Sequence, residues 1–412
     1  MADSATPAPS LPPERPRGFV LGFGAAQAGA FIAFIPLLTL ILPEKARLIA
    51  GEAGAALLLS EAAMFGGITA ALANLTFGAL SDRTHTRFGR RRPWIVGGLT
   101  ALPFAFALLA AADSPFSLVV GVIAFQLAVN AFFAPLNALV PDLVPDRQKG
   151  LVSAWSGAAL PVANLVTATI VIRLHPNFGL QFAAVTAITV LMILPLVLRL
   201  KESPAAAPVF TLSLRALKDR TFALAFTSRL LAEAAIAIHT LFLFLWIAGA
   251  PGHASPDDWQ PARLFSLLLA GATAAAVVTG FIGGPASDRV GRRLPFVVAG
   301  TLTMSAALAV ISLAPPWPGV LIAQLLFGAA HGLHATTVAA MTAEILPDRF
   351  TFGRDLGVMN LAIALPQSFA PALAAVFFSV GLPLTSIFMV ATACAALAGL
   401  VLLCAGRGRS RV

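Results

Sequence analysis

Residues 78–94 read GALSDRTHTRFGRRRPW, and a shorter version, GGPASDRVGRRLPF, returns at residues 283–296. The first stretch packs five arginines, Asp82 and His85 into a chain that is only 11% charged. Both stretches lie between long apolar runs. Of the 412 residues, 58% are hydrophobic, and the mean hydropathy is +0.88. A soluble globular chain is about 45–50% apolar and about 25% charged. This much apolar surface cannot be hidden from water, so the solvent must in part be lipid.

A helix that spans the bilayer needs about 20 predominantly apolar residues. Twelve such segments can be bracketed at 18–42, 54–80, 93–112, 115–140, 150–173, 180–199, 221–248, 262–286, 294–314, 317–343, 355–379 and 381–405. Twelve crossings place both ends of the chain on one side. With the amino terminus inside, 22 of the 27 lysines and arginines fall in inner loops or tails, as the positive-inside rule requires. The expected location is the cell membrane, multi-pass, with both termini cytoplasmic. The net charge of +9 is thereby explained without nucleic acid. Cys394 and Cys404 share the last segment, ten positions apart, which on a helix is about 15 Å and too far for a disulfide. The polar, proline-rich start lacks the features of a signal peptide and reads as a cytoplasmic tail.

The charged stretch repeats. Asp82 aligns with Asp288, Arg83 with Arg289, Gly89 with Gly291, Arg90 with Arg292, Arg91 with Arg293 and Pro93 with Pro295. A second pair, PDLVPDRQKG from Pro141 and AEILPDRFTFG from Ala343, aligns Asp142 with Glu344 and Arg147 with Arg349. The offsets are 206 and 202 residues, half the chain. Two pairs in register imply two homologous six-helix halves, one of the known transporter plans. The expected organisation is a tail (1–17), a first bundle (18–199), a linker (200–220), a second bundle (221–405) and a tail (406–412).

With those residues in view, the loop resembles the signature of the major facilitator superfamily. Its extended form, RFGRRRPW, together with PDRFTFGRDLGVMNLAIALPQ at residues 347–367, is most similar to the glycoside–pentoside–hexuronide cation symporters and the proton-coupled sucrose transporters. The resemblance implies an all-α membrane fold of two pseudo-symmetric bundles, working by alternating access. It also implies a gate built from the loop charges: Asp82, Arg83, Arg90, Arg91, Asp142 and Arg147 in one half, and Asp288, Arg289, Arg292, Glu344 and Arg349 in the other. Asp82 is then expected at the amino end of the segment beginning near Asp355, where the helix dipole favours negative charge. The bland alternative, decoration by the positive-inside rule, explains the sign of the charge but not its pattern.

A transporter needs polar groups at membrane depth that face a cavity. In the seventh segment Arg229 and Glu233 are spaced i, i+4 and share a helix face, with Glu233 about 18 Å in from the cytoplasmic end. The pair reads either as an exchangeable, proton-coupling carboxylate or as a permanent ion pair. His239 lies further out and joins the coupling candidates. In the tenth segment His331 and His334 share a face at i, i+3. They suit substrate hydrogen bonding, proton exchange or packing; metal is disfavoured because no carboxylate or cysteine joins them. Gln126 and Asn130 in the fourth segment match the depth of His331 through the repeat, which suggests one shared cavity. Gln27, Asn164 and Gln367 complete the amide set, although single amides often only tie helices together. The chain has no tyrosine and five tryptophans, so a sugar would stack on Trp155, Trp246 or phenylalanine.

The leading expectation is secondary active transport of a small polar solute, a sugar or glycoside, coupled to protons. Sodium sites in the melibiose-type relatives use acids in the first, second and fourth segments. Here Gln27 and the amides of the fourth segment stand instead. The alternatives are a drug or metabolite exporter of the same fold, or a non-transporting pigment-assembly factor like the bacteriochlorophyll-delivery proteins. No phosphate loop, zinc motif, nucleophile elbow or dinucleotide fingerprint suggests an enzyme or a cofactor. A monomer in the bilayer, binding a small molecule, is expected.

Overall fold

The computed structural model describes residues 15–200, 202, 214–250, 252–256, 259–345 and 352–406. Arg349, most of the expected linker and most of both tails lie outside the described residues, as do the side chains of Arg147 and Glu344. Proline and glycine divide an otherwise apolar chain into helices. α1 (Arg17–Pro36) runs through a π-helical turn (Leu37–Ile41) into α2 (Leu42–Arg83), which is broken at Gly51 by a φ of 67°. α3 (Arg92–Ala111), α4 (Pro115–Leu143), α5 (Asp146–Gly157), α6 (Ala159–Thr169) and α7 (Phe178–Arg199) follow. The second half contains α8 (Arg220–Ala248), α9 (Pro261–Val290), α10 (Leu294–Ser312), α11 (Gly319–Ile345), α12 (Phe352–Ser379) and α13 (Leu384–Gly406).

Among the described residues, eleven helical stretches are long and apolar enough to cross a membrane, and the first of them, Arg17–Arg83, contains the break at Gly51. Counted on either side of that break, the crossings number twelve. Proline opens α4 and α9 at the position where a missing N–H costs nothing. The boundary between the third and fourth crossings, weakly marked in sequence, is fixed by a capping box between Ser114 and Ser117.

The sequence repeat is also a packing repeat. α1 packs on α7 and α6, α2 on α4, and α3 on α4 and α7. In the second half, α8 packs likewise on α13 and α12, α9 on α11, and α10 on α11 and α13. The halves meet through α2 with α12 and α8, and through α6 with α9. On the face away from the termini they are sealed. There Leu37, Leu40 and Ile41 share one buried core with the stretch of α8 from Leu241 to Ile247. The Ser266 hydroxyl donates to the Ala168 carbonyl across the junction. On the termini side α5 packs on α1 and α6 and has no comparable contact with the second half. Among the described residues, the junction is therefore closed on the far side.

The fifth crossing departs from the unbroken segment expected at 150–173. It is interrupted between α5 and α6, next to Gly157 and Pro161. Proline cannot donate to the carbonyl four residues back, which here is Gly157, and its ring clashes with it.

Lys45, one of the five basic residues off the basic face, has a structural role. It is 4% exposed, and its ammonium donates to the carbonyls of Leu109 (2.8 Å), Ala110 (2.8 Å) and Ala112 (2.7 Å) at the carboxyl end of α3. The last carbonyls of a helix lack the usual i+4 donors and carry the negative end of the dipole; of these three, Leu109 also accepts the Ala112 N–H at 3.3 Å. Lys45→Ala is expected to cost about 2–3 kcal/mol, the scale of hydrogen bonds to a charged group left unmade. Thermal unfolding in detergent would measure it, and an unchanged midpoint would contradict the assignment.

Candidate functional site: a cavity between the halves

A cavity of about 110 Å³ lies between the halves on the far side of their junction. Two helical irregularities bring the first half to it. The π-helical turn turns Thr39 into the cavity, and the break after α5 presents Leu160, Pro161 and Asn164. π-helical turns recur where a helix serves a site rather than a core. The second half contributes one face of α8 (Ile236, His239, Thr240, Leu243), one of α9, and Gln324, Phe327, Gly328 and His331 of α11. The wall contains hydroxyls, amides and imidazoles but no aspartate, glutamate, lysine or arginine.

The polar groups are organised around His239. Its Nε2 lies 3.0 Å from Gln324 Oε1, and its ring stacks on Phe327 at 3.7 Å between centroids and 25° between planes. Phe327 in turn lies 6.3 Å from His331. Gln324 is 1% exposed, so its hydrogen bond fixes the imidazole before any solute arrives.

One helical turn toward the termini side lies a charged layer. Arg229 Nε and Glu233 Oε1 are 3.9 Å apart, with side chains 14% and 21% exposed. Residues 229, 233, 236 and 240 follow the helical repeat, so the pair continues the stripe that reaches the cavity at Ile236 and Thr240. At this distance the contact is an ion pair and not a hydrogen bond. Among the described residues, Arg229 Nε has no hydrogen-bond partner, nor does either ring nitrogen of the buried His334, which lies within electrostatic reach of Arg229. Buried polar atoms without partners are rare in folded proteins.

The residues expected at the site are distributed unequally. Asn164, His331 and His239 line the cavity, and His334 lies beside the charged layer. The fourth crossing contributes nothing to this wall, in contrast to the shared cavity expected for the fourth and tenth segments. Gln27 donates to Asn137 (2.7 Å), Asn74 to Asn130 (3.2 Å), and Asn130 to the Gln126 carbonyl (2.9 Å). These amides satisfy one another between α1, α2 and α4, which is the helix-tying role. Trp155 is 45% exposed on the termini side against Gly24, Trp246 is buried against Phe388, and Gln367 is exposed on α12. The aromatic surface in the wall comes from Phe265 and Phe327.

At the termini-side loops, Asp82 pairs with Arg91 of its own loop at 2.5 Å. Asp142 takes Arg91 at 3.0 Å and Arg90 at 2.9 Å. The second half repeats the pattern: Arg293 pairs with Asp288 at 2.5 Å and donates to Ser287, as Arg91 donates to Ser81. Arg83, Arg289 and Arg292 are exposed. The arginine that makes the second-half pair is thus Arg293, the partner of Arg91 in the repeat, and not Arg292.

The Major Facilitator Superfamily description matches residues 19–257 and again 253–411, one match per half. The chain belongs to the Major Facilitator Superfamily. It is a multi-pass membrane protein and a secondary transporter of a small molecule, not an enzyme. An uncharacterized symporter of Synechocystis sp. is 29% identical over 221 residues, 47% of this chain and 39% of that protein. The match thus spans well under half of that relative. Among solved structures, a peptide transporter POT in complex with sulfate superposes with a TM-score of 0.73 at 14% identity, over 96% of this chain and 95% of that one. The nucleoside transporter NupG gives 0.69 at 11% identity over 94% and 99%. A bacterial homolog of the human lysosomal transporter Spinster, in an inward-facing and occupied conformation, gives 0.70 at 13% over 95% and 97%. These likenesses establish the fold.

Proposed function

We propose that this transporter is a symporter that carries a small uncharged polar solute, a sugar or glycoside, together with a proton. In this reading it works as the glycoside–pentoside–hexuronide and sucrose carriers do, with both termini cytoplasmic. One observation carries it: a loose Arg229–Glu233 pair next to a wall rich in hydroxyls and amides but free of ionised groups. An ionised solute would find no counter-charge in that wall, and burying an unpaired charge is costly. The pair, in contrast, has the slack to exchange a proton as the junction opens and closes. The symporter match over 47% of the chain supports the same reading. Phe327 and Phe265 would provide the apolar face on which a sugar ring lies.

The test has two steps. A thermal-shift screen of purified protein against sugars, glycosides and organic acids at two pH values is expected to pick out neutral glycosides. Vesicles holding the protein should then accumulate the selected solute when the outside is made acidic, and should only equilibrate it without a gradient. Stabilisation by organic acids alone would exclude the neutral-solute assignment. Uptake indifferent to the gradient would exclude the proton.

A further inference from the structure

The polar side chains of the cavity wall are not equally free to bond a solute. The Thr39 hydroxyl donates to the Ile35 carbonyl (2.8 Å), and the Thr273 hydroxyl donates to the Leu269 carbonyl (2.7 Å). Both threonines are buried and both line the cavity. A hydroxyl has one hydrogen to give and two lone pairs. With that hydrogen committed to the preceding helical turn, each oxygen can only accept toward the cavity. The two come from opposite halves, Thr39 from the π-helical turn and Thr273 from α9.

His239 adds a third group with a fixed role. An amide oxygen can only accept, so the ring nitrogen that faces Gln324 Oε1, Nε2, carries the hydrogen. A neutral imidazole has one N–H, which leaves Nδ1 as a bare acceptor. Nδ1 makes no hydrogen bond among the described residues. Burial of Gln324 and the stacking of the imidazole on Phe327 keep either partner of the bond from swinging away. The wall also holds no aspartate or glutamate to balance a second ring proton.

We infer that Gln324 sets the hydrogen-bond polarity of the cavity: by holding His239 as the Nε2–H tautomer it gives the wall a third group that accepts and cannot donate. The solute selected must then offer hydroxyl or N–H hydrogens where it meets Thr39, Thr273 and His239. Gln324 is a positioning residue, since it acts through His239. A polyhydroxylated solute qualifies. An ether, ester or ketone of the same size does not, because its oxygens would face lone pairs and leave buried acceptors unpaired. A site built to bond a solute hydroxyl rejects the analogue that lacks it. Asn164 in the same wall has both a carbonyl and an amide group, so the solute's own oxygens still find a donor. The inference deepens the neutral-solute reading and rests on it.

The experiment uses the full chain in lipid nanodiscs with isotope-labelled histidine nitrogens, read by NMR. The resonances that vanish in His239→Gln assign the ring. In the parent the Nε2–H tautomer is expected to exceed the other by about tenfold, the scale of one buried hydrogen bond. Gln324→Leu, which keeps the size and removes the acceptor, should lower that ratio by about fivefold. Binding is then measured with methyl α-D-glucopyranoside and methyl α-D-galactopyranoside, each beside its monodeoxy and monodeoxyfluoro derivatives. Fluorine replaces a hydroxyl without a hydrogen to donate. At the hydroxyls that meet the three acceptors, the fluoro derivative should bind about tenfold more weakly than the parent glycoside and no better than the deoxy one. The parent glycoside should also shift the Nδ1 resonance. A ring protonated at Nδ1 in the parent protein would overturn the assignment, as would an Nε2–H ring that Gln324→Leu leaves unchanged. Fluoro derivatives that bind as well as the parent glycoside at every position would overturn the selection. Failure of every glycoside to bind, with the tautomer as expected, would instead remove the neutral-solute reading, because the tautomer is read without solute. If Gln324→Leu does not fold, the parent spectrum and the glycoside series still decide.

Discussion

Glu233→Gln is expected to abolish uphill accumulation of solute while leaving solute-for-solute exchange within about twofold of the parent, because binding and rocking persist when only the linkage is removed. The argument begins with the geometry of the pair. A carboxylate and a guanidinium 3.9 Å apart, neither fully exposed, attract each other strongly but lack the aligned hydrogen bonds that would make the pair permanent. Glutamine keeps the volume and an acceptor for Arg229 but cannot take up or give away a proton. Exchange needs only a solute-loaded cavity that opens to either side, so it survives. Net accumulation needs the proton to travel with the solute, so it does not. His334 lies within reach of the same layer, and neither of its ring nitrogens has a hydrogen-bond partner among the described residues. A Glu233→Gln variant that still concentrates solute against its gradient would reduce the pair to structure. Loss of exchange together with accumulation would show instead that Glu233 helps to bind the solute.

The fold was legible because lipid imposes a coarse code. Apolar length gives crossings, basic residues mark one face, and a charged loop repeated half a chain apart marks the halves. Each of those signals is read from short stretches of sequence, without knowing what packs against what. The site was only partly legible because depth on a helix can be counted, whereas the direction of a side chain depends on what packs around it. Asn164 and His331 face the cavity, but Gln27 turns to Asn137, and Asn130 bonds to Gln126 and Asn74. His239 was placed among coupling residues, yet its partner Gln324 makes it part of the wall. The break in the fifth crossing was missed too: residues 150–173 read as one unbroken segment, and the interruption next to Gly157 and Pro161 that presents Asn164 emerged only with the packing.

Gly332→Ala, like Gly328→Ala, is expected to cost about 3 kcal/mol or more of stability. Gly328 and Gly332 stand four apart in FGAAHG, the spacing that lets two membrane helices touch along their backbones. Here they touch. A Cβ at Gly328 would lie 2.1 Å from the Ala272 carbonyl oxygen, and one at Gly332 would lie 2.0 Å from that of Ala276. Both obstacles are backbone of α9, so no side-chain rotation relieves them, and α9 and α11 must separate along their contact. Overpacking of a close-packed interior costs about 1–3 kcal/mol when side chains can adjust, and a backbone clash sits at the upper end of that range or beyond. The consequence reaches the cavity, because Gly328 and His331 on α11 and Ala272, Thr273 and Ala276 on α9 form adjoining parts of its wall. A single methyl there should lower the thermal midpoint and weaken solute stabilisation together, whereas Gly284→Ala on α9, where a Cβ meets nothing within 4 Å, should do neither. If Gly332→Ala unfolds at the parent temperature, α9 and α11 do not approach this closely, and the wall that carries His331 must be drawn differently.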